Sequence, residues 1–310
     1  PITLGAIQDT VLAYEYGKAI GEHCRALGVH INFAPVVDIN TNPKNPIIGA
    51  RSFGEDPEKV SEIAAAVMRG MQSVNVLAVA KHFPGHGDTD ADSHKTLPTV
   101  SASMDRLEEV ELYPYRQLSK SGLGGVMVAH LNVPAIDPSG KPTSLSKPAF
   151  DLLRNDIGFD GLTFTDALNM QGVARDYAPG LVDLESIKAG NDVLVLSQDV
   201  KLAKSKIIEA LKDGSIDTAD IEASVARILA AKYWFGLQQK EHIESTLLDS
   251  RLHRESDQIL NRNIYAEAST LLINKNKTVP LKDLANAKIA CVGAGTEVSP
   301  HFGKMLKKYS

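Results

Sequence analysis

Short apolar runs rich in β-branched residues recur along the chain: Ile31 to Val37, Val76 to Ala80, Gly125 to Ala129, Gly161 to Thr165 and Asp192 to Leu196. Longer stretches with apolar positions on one face separate them, and helices are predicted over about 9–27, 57–73, 105–121, 147–156, 183–189 and 199–213. Runs this short and apolar suit strands covered on both faces, so the alternation predicts β/α units around a parallel sheet. A closed barrel of eight strands would need three more than these five, and they are expected upstream of Pro1, where the chain opens without a methionine. An open, doubly wound sheet is the rival architecture.

The helical pattern resumes in DTADIEASVARILAAKYWFGL, and a charged stretch without strand signal runs from Gln238 to about Asn261. Beyond it, ASTLLINKNKTVPL and AKIACVG are predicted strands. The expected division is therefore an α/β, barrel-type domain over 1–237, incomplete at its start, a linker over 238–267, and the beginning of a second α/β domain over 268–310. No internal repeat or low-complexity tract interrupts this organisation.

The 310 residues, 43% hydrophobic and 23% charged, are enough for a large core and typical of a folded soluble chain. A net charge of -5 without a Lys/Arg run supplies no footprint for nucleic acid. Cys24 and Cys291 stand far apart with no C-x-x-C, which indicates neither a disulfide framework nor a thiolate metal site. No apolar run reaches the ~18 residues that span a bilayer.

The stretch VAKHFPGHGDTDADSHKTLP, Val79 to Pro98, concentrates candidate chemistry. It follows the run 76–80, which puts Lys81 and His82 at a strand's carboxyl end, where barrel active sites are built. Pro84, Gly85 and Gly87 suit a sharp turn into a polar loop. His82, His86 and His94 are candidate zinc or iron ligands, although Pro84 and Gly85 exclude the helix on which H-x-x-x-H spacing aligns two ligands. The other reading is acid/base chemistry, since Asp92 stands close enough to His94 to orient its imidazole.

A second candidate, Asp166, follows the run Gly161 to Thr165, whereas Asp160 precedes that run at the opposite rim. In a parallel sheet Asp166 would share a pocket with Lys81 and His94. A carboxylate among Phe164, Ala167 and Leu168 needs a partner, so a structural ion pair is its plain alternative role. Arg51, in NPIIGARSFGEDP, offers a fork of donors for sugar hydroxyls or carboxylates, or else a loop staple to Asp38 or Glu55. VGAG at 292–295 lacks the third glycine of a dinucleotide fingerprint.

INFAPVVDIN, GARSFGEDP, KHFPGHGDTDADSH and GFDGLTFTDALNM together resemble, in order, the motifs of family-three glycoside hydrolases, and specifically their bacterial β-N-acetylglucosaminidase branch. The resemblance covers about residues 1–240. It implies a (β/α)8 catalytic domain in which Asp166 attacks the anomeric carbon, His94 paired with Asp92 is the acid/base, and Arg51, Lys81 and His82 bind the sugar. It also implies a carbohydrate substrate, peptidoglycan fragments or related glycosides, and no metal or cofactor. STLLINKNKTVPL resembles the opening of the α/β sandwich domain that follows the barrel in longer members, and a DQEGG-like sugar-gripping segment is expected upstream of Pro1. Multi-domain relatives are often exported, which points to the periplasm ahead of the cytoplasm. Two alternatives stand beside this reading: a metal-dependent barrel hydrolase using His82, His86 and His94, and a sugar-binding module without turnover.

Overall fold

The computed structural model describes residues 1–7, 9–89, 96–239, 243–282, 286, 300–306 and 308. The chain forms two units, Pro1–Ala268 and Ser269–Ser310.

Four of the five predicted runs are strands of one parallel sheet in chain order, β1 (Ile31–Asn32), β2 (Leu77–Phe83), β3 (Gly125–Val128) and β4 (Leu162–Thr165). β1 is shorter than its apolar run because Pro35, without an N–H, interrupts the ladder. The chain rejoins β2 through Val37 N, which donates to Lys81 O, while Ala34 O and Pro35 O accept from Val79 and Lys81. β2 in turn extends past its expected end, so Lys81 and His82 belong to the strand itself. Among the described residues the fifth run forms no ladder with β4 beyond a Phe164–Val193 bridge, beside which the Asp192 carboxylate accepts from Thr163.

Helices Thr10–Ala26 and Pro57–Gln72 pack together beside the sheet, each started by an aspartate, Asp9 or Asp56, whose carboxylate accepts from the first-turn N–H groups. Small residues bring their backbones together. A Cβ added at Gly17 would sit 2.2 Å from Val67 O, and one at Gly70 would sit 2.1 Å from Tyr14 O. Gly70→Ala is therefore expected to cost about 1–3 kcal/mol through overpacking. Denaturant unfolding measures it, and an unchanged midpoint would refute the close approach.

The helix expected over 105–121 is broken. Residues Met104–Arg106 lead into a π-helical turn, Leu107–Glu111, before Tyr113–Lys120. Pro114 cannot donate to the preceding turn, and the wider Leu112 N to Leu107 O bond takes up the extra residue. The stretch 238–267, expected as a linker, carries helices Leu248–Leu252 and Glu255–Ala268, which dock on Thr10–Ala26. Ile264 is buried there and Leu260 and Ala268 are partly buried, a four-residue spacing that lines one helix face. Among the described residues no helix is long and apolar enough to cross a membrane.

In the second unit the described residues form a short turn at Lys275–Lys277 and helix Pro300–Leu306. The strand expected within ASTLLINKNKTVPL forms no ladder among the described residues, and Leu271, Leu272 and Ile273 are exposed. A strand takes its hydrogen bonds from a neighbour, and the second predicted strand, AKIACVG, lies outside the described residues.

Candidate active site

Parallel strands present all their carboxyl ends on one rim, and here that rim gathers the chemistry. Asp38 follows the Val36–Lys81 bridge, His82 lies near the end of β2, His130 comes two residues after β3, and Asp166 directly follows β4. Asp160 precedes β4 and lies at the opposite end, as its position predicts. The register of β2 against β3 passes from Lys81–Met127 to Phe83–Val128, which leaves His82 as an extra, bulged residue. Such a bulge redirects a side chain at the edge of a site.

Asp38 is the hub of this rim. Its fully buried carboxylate accepts from His82 Nδ1 at 2.7 Å, from His82 N at 3.2 Å and from His86 N at 2.7 Å. Burial pushes the Asp38 carboxyl up, but His82 and His86 outweigh it and hold the group below the ordinary carboxylate range. With both oxygens engaged by the histidine segment, Asp38 is not the partner of Arg51. That arginine donates instead to Ile47 O at 3.2 Å.

Asp166 is part-buried, and its Oδ1 accepts from Ala167 N at 2.8 Å. Burial raises its pKa, but His82, His130, the Ala167 N–H and Lys81 together bring it below the ordinary value. It is therefore ionised at neutral pH. Lys81 has its pKa lowered, first by burial and then by Arg51, with Asp166 and Asp38 opposing. Arg51, Lys81, His82 and Asp166 thus form one electrostatic cluster.

His130 is fully buried, with Nδ1 2.7 Å from Ser144 Oγ and Nε2 3.1 Å from Ala167 O. Burial lowers its pKa. A neutral ring there donates from Nε2 to the carbonyl and accepts the serine hydroxyl at Nδ1. Its charge helps Asp166 only in acid, whereas Lys81 and the Ala167 N–H help at neutral pH as well. This bond anchors the turn that carries Asp166.

Sequence reasoning singled out neither His130 nor Asp38 as a site residue. The signal for His130 was available, since VMVAH ends an apolar run just as TFTD does. That for Asp38 was weaker, because its partners are distant in sequence.

His82 and His86, offered as metal ligands, have ring centroids 6.0 Å apart. His82 gives Nδ1 to Asp38, while His86 Nδ1 lies 2.7 Å from Thr89 Oγ1. Among the described residues no three His, Cys, Asp or Glu side chains are gathered to hold an ion. The third expected ligand, His94, and its acid/base partner Asp92 lie outside the described residues.

The described strands make a parallel α/β sheet that carries at its carboxyl-end rim an ionised carboxylate, Asp166, coupled electrostatically to His82 and Lys81, the arrangement of an α/β protein with a polar site at its strand ends. Residues 1–231 match the glycosyl hydrolase family 3 N-terminal domain, and the chain belongs to that family. Beta-hexosaminidase A of Pseudoalteromonas piscicida is 33% identical over 299 residues, 90% of this chain and 49% of that protein. A glycoside hydrolase family 3 beta-N-acetylglucosaminidase from Paenibacillus sp. str. FPU-7 superposes with a TM-score of 0.82 at 38% identity, covering 86% of this chain and 51% of the other. The beta-glucoside phosphorylase BglX superposes with a TM-score of 0.80 at 28% identity, covering 85% of this chain and 50% of the other. The chain spans about half the length of these relatives.

Proposed function

We propose that the protein is a retaining exo-β-N-acetylglucosaminidase that removes terminal β-linked N-acetylglucosamine from peptidoglycan fragments or related glycosides. The observation that carries this reading is Asp166, a carboxylate at the carboxyl-end rim that His82 and Lys81 help to hold ionised. The four parallel strands then belong to a (β/α)8 barrel with its catalytic domain over 1–237, and 268–310 opens an α/β sandwich.

In the proposed reaction an Asp166 oxygen bonds to C1 as the bond from C1 to the leaving oxygen breaks, and His94 donates the proton that oxygen needs. Water then attacks C1, gives its proton to His94, and releases the Asp166 carboxylate. Asp92 orients the His94 imidazole. Arg51, Lys81 and His82 hold the sugar hydroxyls, so that binding energy aligns C1 with Asp166. No step in this sequence calls for a metal or a cofactor.

Nitrophenyl N-acetylglucosaminide is expected to be cleaved faster than the glucoside by the full-length protein. Equal or reversed preference refutes the substrate assignment, and binding without turnover favours a sugar-binding module. Sugar 1-phosphate formed in added inorganic phosphate would place the chemistry with the phosphorylase. His94→Ala is expected to lower kcat/KM by roughly 10²–10⁴-fold on a poor leaving group, measured by initial rates. Full activity in that variant would remove His94 from the mechanism.

A further inference from the structure

One buried amide ties together segments that the proposed reaction uses for different tasks. Asn45 Oδ1 accepts from Ile47 N at 2.9 Å and Ile48 N at 2.8 Å, which shapes the turn leading to Arg51. Asn45 Nδ2 donates to His86 O at 2.7 Å and to Gly87 O at 3.2 Å, and lies 3.3 Å from Thr89 Oγ1. Only this orientation satisfies both sets, because N–H groups face one end of the amide and carbonyls the other. Asn45 is 8% exposed, so water does not readily replace a bond lost there.

Neighbouring contacts act in the same sense. Asn42 Nδ2 donates to Thr89 O at 3.3 Å, and a Cβ on Gly87 would lie 1.7 Å from Ile39 O. Residues 86–89 are therefore pinned against the segment that carries Asp38, Asn42 and Asn45, five positions before His94. We propose that Asn45 is a positioning residue that keeps the entry to the acid/base segment in register with the Arg51 turn, so that sugar binding and proton delivery share one frame. The inference rests on the functional reading above.

Asn45→Asp separates the two halves of the link. The carboxylate still accepts from Ile47 and Ile48, but it faces the carbonyls of His86 and Gly87 with an acceptor where a donor is required. In the full-length protein, kcat/KM is measured for phenyl and dinitrophenyl N-acetylglucosaminides, the second having a leaving group that needs no proton. The expected result is a loss of roughly 10²-fold on the phenyl substrate, the scale of a small misplacement of a catalytic group, with no comparable loss on the dinitrophenyl one. His94→Ala is the control and shows the same split.

Equal losses on both substrates, or none, beside a split in His94→Ala overturn the inference and leave the functional reading standing. No split in His94→Ala overturns the acid/base assignment, and the inference with it. Thr89→Val removes one partner of the Asn45 amide together with the Thr89 Oγ1 contacts to His86 Nδ1 and O, and if Asn45→Asp does not fold it tests whether the register of residues 86–89 carries the split. A smaller split in the same direction supports the link, and its absence refutes it.

Discussion

Asp166→Ala is expected to reduce turnover of an aryl N-acetylglucosaminide by roughly 10³-fold or more while the protein stays folded, because it removes the carboxylate proposed to bond to C1. The carboxylate closes a β-strand and borders the site; the core of the domain does not rest on it. A fluorinated N-acetylglucosamine analogue should add one sugar mass to the unsubstituted protein, at Asp166 when the labelled protein is digested. Label on another residue, or turnover surviving in Asp166→Ala, refutes the assignment. The pH dependence follows from electrostatics. A carboxylate whose pKa is held below its ordinary range is ionised above that value and becomes protonated only as pH falls through it. The rate of covalent labelling should therefore hold down to pH values below the ordinary carboxylate range. A fall at higher pH that belongs to Asp166 would show that Lys81, His82 and the Ala167 N–H do not outweigh burial.

The second large effect concerns stability. Asp192 has a fully buried side chain whose Oδ2 accepts from Arg154, Thr163 N at 2.9 Å and Thr163 Oγ1 at 3.0 Å. Its Oδ1 accepts from Ser224 Oγ at 2.7 Å and from Arg227 at 2.8 Å. One carboxylate thus joins β4, the residues after β3 that lead to Arg154, and helix Thr218–Trp234, a helix with no buried residue of its own. Asp192→Ala takes from Arg154 and Arg227 the carboxylate that balances their charge and from Thr163 N its acceptor, and is expected to cost about 3–5 kcal/mol, read from denaturant unfolding. A loss under about 1 kcal/mol, the range of an exposed pair, would show that water replaces the network. Burial raises the Asp192 pKa, but Arg227, Ser224, Thr163 and Arg154 lower it further. Its contribution is therefore complete above the pKa of an unfolded aspartate and fades as pH falls through the depressed folded value. Above neutrality this group adds no pH dependence.

Much of the fold was legible along the chain. A strand covered on both faces writes a short apolar run, and a helix docked by one face writes a four-residue spacing, so both patterns survive in one dimension. Helix Thr10–Ala26 and helix Pro57–Gln72 fall within a residue of their predicted ends, because Asp9 and Asp56 cap them locally. The break at Pro114 was less evident, since a proline in the first turn of a helix and a proline inside one look alike until the preceding turn is seen. The helices Leu248–Leu252 and Glu255–Ala268 were hidden in the charged stretch for a related reason. The charged residues between 248 and 268 include Arg254 and Asp257, whose partners Glu22 and His23 lie far upstream.

By itself, the amino-acid order determined the β/α alternation, the strand ends that carry Lys81, His82 and Asp166, and the family, because each depends on neighbours in the chain. Only the tertiary structure decided that Asp38 grips the histidine segment, that His130 supports the Asp166 turn, and that Asn45 joins two loops. Those bonds link residues 37 to 44 positions apart, and a hydrogen bond across a fold leaves no periodicity for a pattern to reveal.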